Sequence, residues 1–228
     1  MTTEPREHSH QPTLVEDLLL LLFQPASGTI AGENTLFYVL GGAVLTDLAL
    51  GDHLTTEARG RVRSVEGHPP SDDLLRPAWD YLSAKPKGVQ TALAAIGPPL
   101  RAPVLDRLIA RGDIDQHPRK VLGLFRTTAL REGGTGRRAR LLADVRQVLV
   151  EGTQPPTRIA ALAALLSASG TLPQFHSEIP WTSSVITRAK ELERGDWGAD
   201  AAAQAVTRTV TATVVNSAIA AITVLPRS

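Results

Sequence analysis

The run "LFYVLGGAVLTDLAL", residues 36–50, constrains the fold more than any other part of the chain. Placed on a helix of 3.6 residues per turn, Leu36, Phe37, Val39, Leu40, Ala43, Val44, Leu45, Leu48 and Ala49 leave almost no polar face. A helix that is apolar all round has to be enclosed, so the remaining chain must supply a shell of other elements around it. Asn34 reads as the N-cap of a helix over 35–50. Gly41 and Gly42 weaken that helix intrinsically, and predict a neighbouring backbone packed closely against it.

The shell is legible as further helices. Thr13 with Glu16 has the spacing of a capping box and opens a helix from Leu14 to Phe23. "QPASGTIAGEN" reads as a loop. Leu54 and Val62–Val65 suggest a short strand pair. Ser71 followed by Asp72 and Asp73 starts a helix to about Ser83. Others follow over 89–96 and over 101–111, the latter stopped by Gly112. Strands near Ile114 and over 121–128 make a β-hairpin, and helices are expected over about 136–151, 155–169 and 181–194. The final segment, 200–225, is long and apolar. Arg208, Asn216 and many threonines leave its apolar length short of the about 20 residues a membrane span needs, so it reads as a second buried helix. The fold class is therefore mainly α: one helical domain over 13–226, with two buried central helices and a projecting apolar hairpin. Residues 1–12 are expected to form a disordered polar tail.

With 4% aromatic residues, the core is built from Leu, Val, Ile and Ala. The absence of cysteine excludes disulfides and thiolate metal sites. The six histidines are scattered without metal-ligand spacing, and neither a metal site nor a cofactor is expected. "GTGRRA", 134–139, fits a dinucleotide fingerprint formally, but it follows a hairpin rather than a parallel strand. No general acid is set beside a general base, and the chain does not read as an enzyme.

Charge is more informative. A net charge of +1 hides a window, 98–146, with eleven Arg or Lys and five acids, a balance of +6. Such a block points to an anionic partner. Inside it, the hairpin carries Val121, Leu122, Leu124 and Phe125 between Arg119-Lys120 and Arg126. An apolar tip flanked by cations suits an anionic bilayer, with guanidinium groups at phosphates and aliphatic groups at the acyl boundary. The same tip could instead hold a second copy of the chain, or pack on this chain's own core. A helix, turn, helix and basic two-stranded wing also describe a winged-helix DNA-binding protein. An apolar wing tip, and a preceding helix poor in Asn, Gln and Ser, count against that alternative, and no nucleic acid is expected as a partner.

"LGGAVLTDLALGDHLT", residues 40–55, resembles the buried second helix of the Golgi phosphoprotein 3 family, whose pattern is approximately L-R-G-x-x-L-x-E-L-A-L-x-G-x-L. "LVEDLLLLLF" resembles that family's first helix, "LRAPVLDRLIARGDI" its arginine-bearing helix, "KVLGLFRTT" its apolar hairpin and "VVNSAIAAITVL" its last helix. The resemblance implies a mostly α fold and a peripheral membrane protein that binds phosphatidylinositol 4-phosphate. The family's headgroup pocket uses one tryptophan and three arginines. Carried over by position, the tryptophan falls near Gly32 and two arginines fall at Gly41 and Pro98, while the third is kept as Arg101. Headgroup contacts are therefore expected first from Arg101, then from Arg107 and Arg111 on the same helix, and from Arg137 and Arg138 at a helix start. A composition rich in Ala, Leu, Val and Arg with few Lys suggests a GC-rich bacterium. The expected location is the cytoplasm, peripheral on the inner face of the membrane.

Overall fold

The computed structural model describes residues 11–57, 60–121, 125–196 and 205–224; side chains are described for these except 119–127, 205–208 and 221–224. Helix dominates, at 57% of the described residues. The apolar run forms α2 (Leu36–Leu50), which packs against α1 (Leu14–Leu22), α4 (Val89–Ile96), α7 (Thr157–Ala168) and α9 (Ala205–Val224). The enclosure expected from its sequence is thus met from several sides. The nine residues of α1 are all buried, including Glu16 and Asp17. Thr13 and Glu16 form the reciprocal capping box, with the Thr13 amide donating to Glu16 Oε2 at 2.8 Å. In α9, Val210, Val214, Val215 and Ala218 are fully buried. Among the described residues no helix is long and apolar enough to cross a membrane. Residues 200–204 and 225 of the expected last helix lie outside the described residues.

Gly41 has the backbone neighbour expected, whereas at Gly42 the crowding comes from a side chain, with Val214 2.7 Å from where a Cβ would stand. A Cβ on Gly41 would stand 3.4 Å from the Gly97 backbone, and one on Gly97 would stand 2.0 Å from the Phe37 carbonyl oxygen. Helix α2 and the end of α4 touch backbone to backbone at that corner.

Several boundaries differ from the sequence reading. Asn34 is not the cap: Glu33–Thr35 forms a 3-10 turn, and Thr35 stands at the N-cap of α2. Helix α3 (Arg76–Ser83) begins five residues after Ser71, because the Asp72 carboxylate accepts from the Leu74 amide at 2.7 Å and holds 72–75 as a turn. Phe23 leaves α1 to pair with Ile30, so the expected loop contains a two-stranded turn, β1 (Phe23–Gln24) and β2 (Thr29–Ile30). The strand pair is β3 (Leu54–Glu57) with β4 (Arg61–Ser64), and β5 (Lys87–Gly88) adds an unforeseen third strand.

Helix α5 (Arg101–Ala110) leads into the ribbon β6 (Ile114–Val121) and β7 (Phe125–Glu132), followed by α6 (Arg137–Val150). Val121 belongs to the first strand, not the second as the sequence suggested. The ladder runs from Ile114↔Glu132 out to Lys120↔Arg126 and Val121↔Phe125. Ile114 is fully buried, whereas Asp115, Gln116, His117 and Pro118 are all exposed. Successive strand residues point to opposite faces, so the first strand meets solvent on both faces over 115–118, while Ala129 and Leu130 of the second are half-buried and Leu130 packs on the core. At its base the ribbon rests on the β1–β2 turn, where a Cβ on Gly28 would stand 2.7 Å from the Leu130 carbonyl oxygen. Leu122 and Leu124 lie outside the described residues. Helix α8 (Ser183–Glu193), capped by Thr182, covers α7.

Candidate anionic-headgroup site

Arg101 opens α5 directly after Gly97-Pro98-Pro99-Leu100. Its Nε donates to Glu33 Oε1 at 2.5 Å, and the two side chains are 46% and 51% exposed. This ion pair ties the start of α5 to the 3-10 turn before α2. Gly32 precedes Glu33 in the chain, Gly41 packs on Gly97, and Pro98 follows Gly97. The four positions onto which the resemblance carries the family's headgroup residues therefore lie around one corner of the fold. Of the four, only Arg101 carries charge there.

The other four predicted arginines do not join Arg101. Arg107 donates to Asp72 Oδ2 at 2.7 Å and lies 3.8 Å from Glu16. Burial opposes its charge, but Asp72, Glu16 and Asp73 outweigh that and raise it above the ordinary guanidinium value. Arg111, at the far end of α5, donates to Glu16 Oε1 at 3.1 Å. Ten residues of helix separate it from Arg101, about 15 Å. Arg137 donates to both Asp17 and Asp113 and is 13% exposed. Burial again opposes the charge, and the two carboxylates again raise it. Arg138 turns inward, its Nε donating to the Phe23 carbonyl at 3.0 Å.

Three of the five are thus bound into a half-buried network of carboxylates that sequence reading missed. Glu16 and Asp17 come from α1, Asp47 from α2, Asp72 from the turn before α3, and Asp113 from the base of the ribbon. Its fourth guanidinium, Arg158 of α7, donates to Asp17 at 2.6 Å, to Asp47 at 3.4 Å and to the Pro12 carbonyl at 2.7 Å. Asp47 also accepts from the amides of Leu14 at 2.6 Å and Val15 at 3.3 Å, so it caps α1 from another helix. Burial pushes the Asp47 carboxyl up to about 7, against the pull of Arg158 and those amides. A signal for this network did exist. Ionic residues in runs as apolar as α1, α2 and α7 must find partners if buried.

The family profile of Golgi phosphoprotein 3 (GPP34) matches residues 14–209. The chain belongs to that family. Membership is consistent with lipid binding in general. No curated relative matches the chain in a sequence comparison.

Proposed function

We propose that this member of the Golgi phosphoprotein 3 family is a non-catalytic peripheral membrane protein that binds anionic phospholipid headgroups from the cytoplasmic side of the inner membrane. The observation that carries the reading is the ribbon. Its first strand is exposed over 115–118, just past buried Ile114, and its ladder continues out to a Lys120↔Arg126 pair and a Val121↔Phe125 pair. By sequence, Val121, Leu122, Leu124 and Phe125 stand among Arg119, Lys120 and Arg126, an apolar segment flanked by cations that suits an anionic bilayer. Each cation near an anionic surface contributes about 1 kcal/mol, and each buried methylene about 0.8 kcal/mol, enough in combination for firm but reversible attachment. Arg101 is the headgroup contact in this reading. Arg107, Arg111 and Arg137 are held by carboxylates and act at most as secondary contacts, while Arg138 stays at the base of the ribbon. Phosphatidylinositol 4-phosphate is the lipid implied by the family. The corner around Arg101 supplies one charge for it, so a less selective response to anionic lipid is expected.

Sedimentation with vesicles of phosphatidylcholine alone, or doped with phosphatidylglycerol or phosphatidylinositol 4-phosphate, tests this. Binding should need an anionic lipid and weaken with salt. It should drop on Arg101→Glu with circular dichroism unchanged. It should also drop on joint Leu122→Ser and Leu124→Ser, the residue left being more salt-sensitive. Equal binding to pure phosphatidylcholine would overturn the proposal, as would binding abolished by competing duplex DNA. A shift of the double serine variant to a smaller species in light scattering, with vesicle binding intact, would assign the hairpin to contact between copies.

A further inference from the structure

A cleft of about 500 Å³ lies between α3, the end of α4 and the start of α5, on a side of α5 away from Arg101. Its walls include Pro77, Tyr81, Ile96, Leu100 and Pro103, and its one charged lining residue is Asp73. The volume falls within the roughly 300–1,000 Å³ of small-molecule sites, which are apolar with a few placed polar groups. The walls are preformed. Pro77 and Pro103 stand in first helical turns, where their fixed φ suits the helix. Asp72 braces the two helices, accepting from the Leu74 amide and from Arg107.

The two ends of the cleft differ in charge. Asp73 lies in the turn before α3, and Pro77 and Tyr81 follow on that helix one turn apart, so the three line the cleft in succession. At the Tyr81 end, the Lys87 ammonium already sits over the ring, 4.8 Å from its centre. At the other end, Arg107 is taken by Asp72, and Asp73 makes no ion pair among the described residues. Asp73, which acts on Arg107 electrostatically but forms no ion pair of its own among the described residues, lines one end, and the Lys87 cation stands beside Tyr81 at the other. An apolar body fits between them, and a positive group would be drawn to Asp73 and repelled from Lys87. We infer that the cleft binds a small amphipathic monocation, an aliphatic or aromatic body bearing one amine, with the amine at Asp73. This site is independent of the headgroup reading.

Octylammonium, octanoate and octanol, titrated into the lipid-free full-length protein and followed by calorimetry and NMR, give the test. Octylammonium should bind saturably, and octanoate at least about tenfold more weakly, since a charge-assisted contact of about 1.4 kcal/mol is tenfold in affinity. Asp73→Asn should reduce octylammonium binding by about tenfold and leave octanol unchanged. Ala95→Trp, at an exposed lining position, should fill the cleft and abolish both without lowering the melting temperature. Equal binding of the ammonium and the carboxylate overturns the inference, as does octylammonium binding that survives Ala95→Trp in a folded protein. Because no vesicle is present, these outcomes do not depend on the membrane proposal.

Discussion

Arg137 and Arg101 come from the same basic stretch, and the fold treats them in opposite ways. Arg137 is 13% exposed and divided between Asp17, from the first helix, and Asp113, from the base of the ribbon. Arg101 is 46% exposed and meets one carboxylate, Glu33, which is itself half in water. The first is a structural cation whose charge is used up joining α1, α6 and the ribbon. The second is a cation that an external anion can reach. The comparison teaches that a +6 window does not by itself make a basic surface. Acids distant in sequence, Glu16, Asp17 and Asp72 among them, are folded onto it.

The sharpest way to break the comparison is to remove each guanidinium. Arg137→Met should leave Asp113, 2% exposed, with the Thr135 hydroxyl as its remaining side-chain partner, and should strip one partner from Asp17. Breaking a buried pair on one side costs about 3–5 kcal/mol, so the melting temperature should fall by about 10 °C or more. Arg101→Ala should change stability by less than about 1 kcal/mol, as exposed pairs do. Similar losses from the two substitutions would show that Arg137 is no more structural than Arg101.

The buried side of the comparison also predicts a pH response. The Asp47 carboxyl is raised by burial from 3.8 to about 7. Between those values the folded chain keeps a proton that the unfolded chain has released. Stability contributed by this group is therefore full below about pH 4 and declines as pH rises towards 7, by up to about 4 kcal/mol for a shift of about three units. Asp47→Asn removes the titration while keeping an oxygen for the amides of Leu14 and Val15. Urea unfolding at pH 5 and pH 7.5 should show a shallower decline in the variant than in the parent chain. Parallel declines in the two would mean that Asp47 is ionised throughout, held so by Arg158 and the two amides.

Local rules carried far in this chain. The capping box at Thr13 and Glu16, the enclosure of α2, the close neighbour at Gly41 and the order from α5 into the ribbon all follow from residues adjacent in sequence or on one helix face. Boundaries failed where a local turn formed ahead of the helix. The Asp72 carboxylate drew the Leu74 amide into a turn where a helix starting at Ser71 was expected, and Thr35 took the N-cap position expected of Asn34. The site was legible only in part. Arg101 was singled out, but its partner Glu33 lies 68 residues away, and nothing local connects them. Asp47 and Arg158, 111 residues apart, are linked only through the packing of α2 on α7. Isolated charges in apolar helices announce that partners exist without saying which.

The smallest expected effect is also the most specific to the exposed side. Glu33 and an incoming phosphate compete for the same guanidinium, and Glu33 adds a like charge beside the phosphate. Losing the pair should cost less than about 1 kcal/mol of stability, because both side chains are about half exposed and screened by water. For a bound headgroup, however, both the competition and the repulsion disappear. Glu33→Gln should therefore raise binding to anionic vesicles a few-fold at low salt, with a smaller gain at physiological ionic strength, where charges are screened over about 8 Å. Binding to phosphatidylcholine vesicles should stay unchanged, and in an Arg101→Ala background the gain should shrink to what repulsion alone contributes. Vesicle sedimentation of the two single variants and the double variant measures that coupling directly. A Glu33→Gln gain that is just as large without Arg101 would mean that Glu33 acts only as a negative charge near the membrane, and that the Arg101 corner does not hold the headgroup.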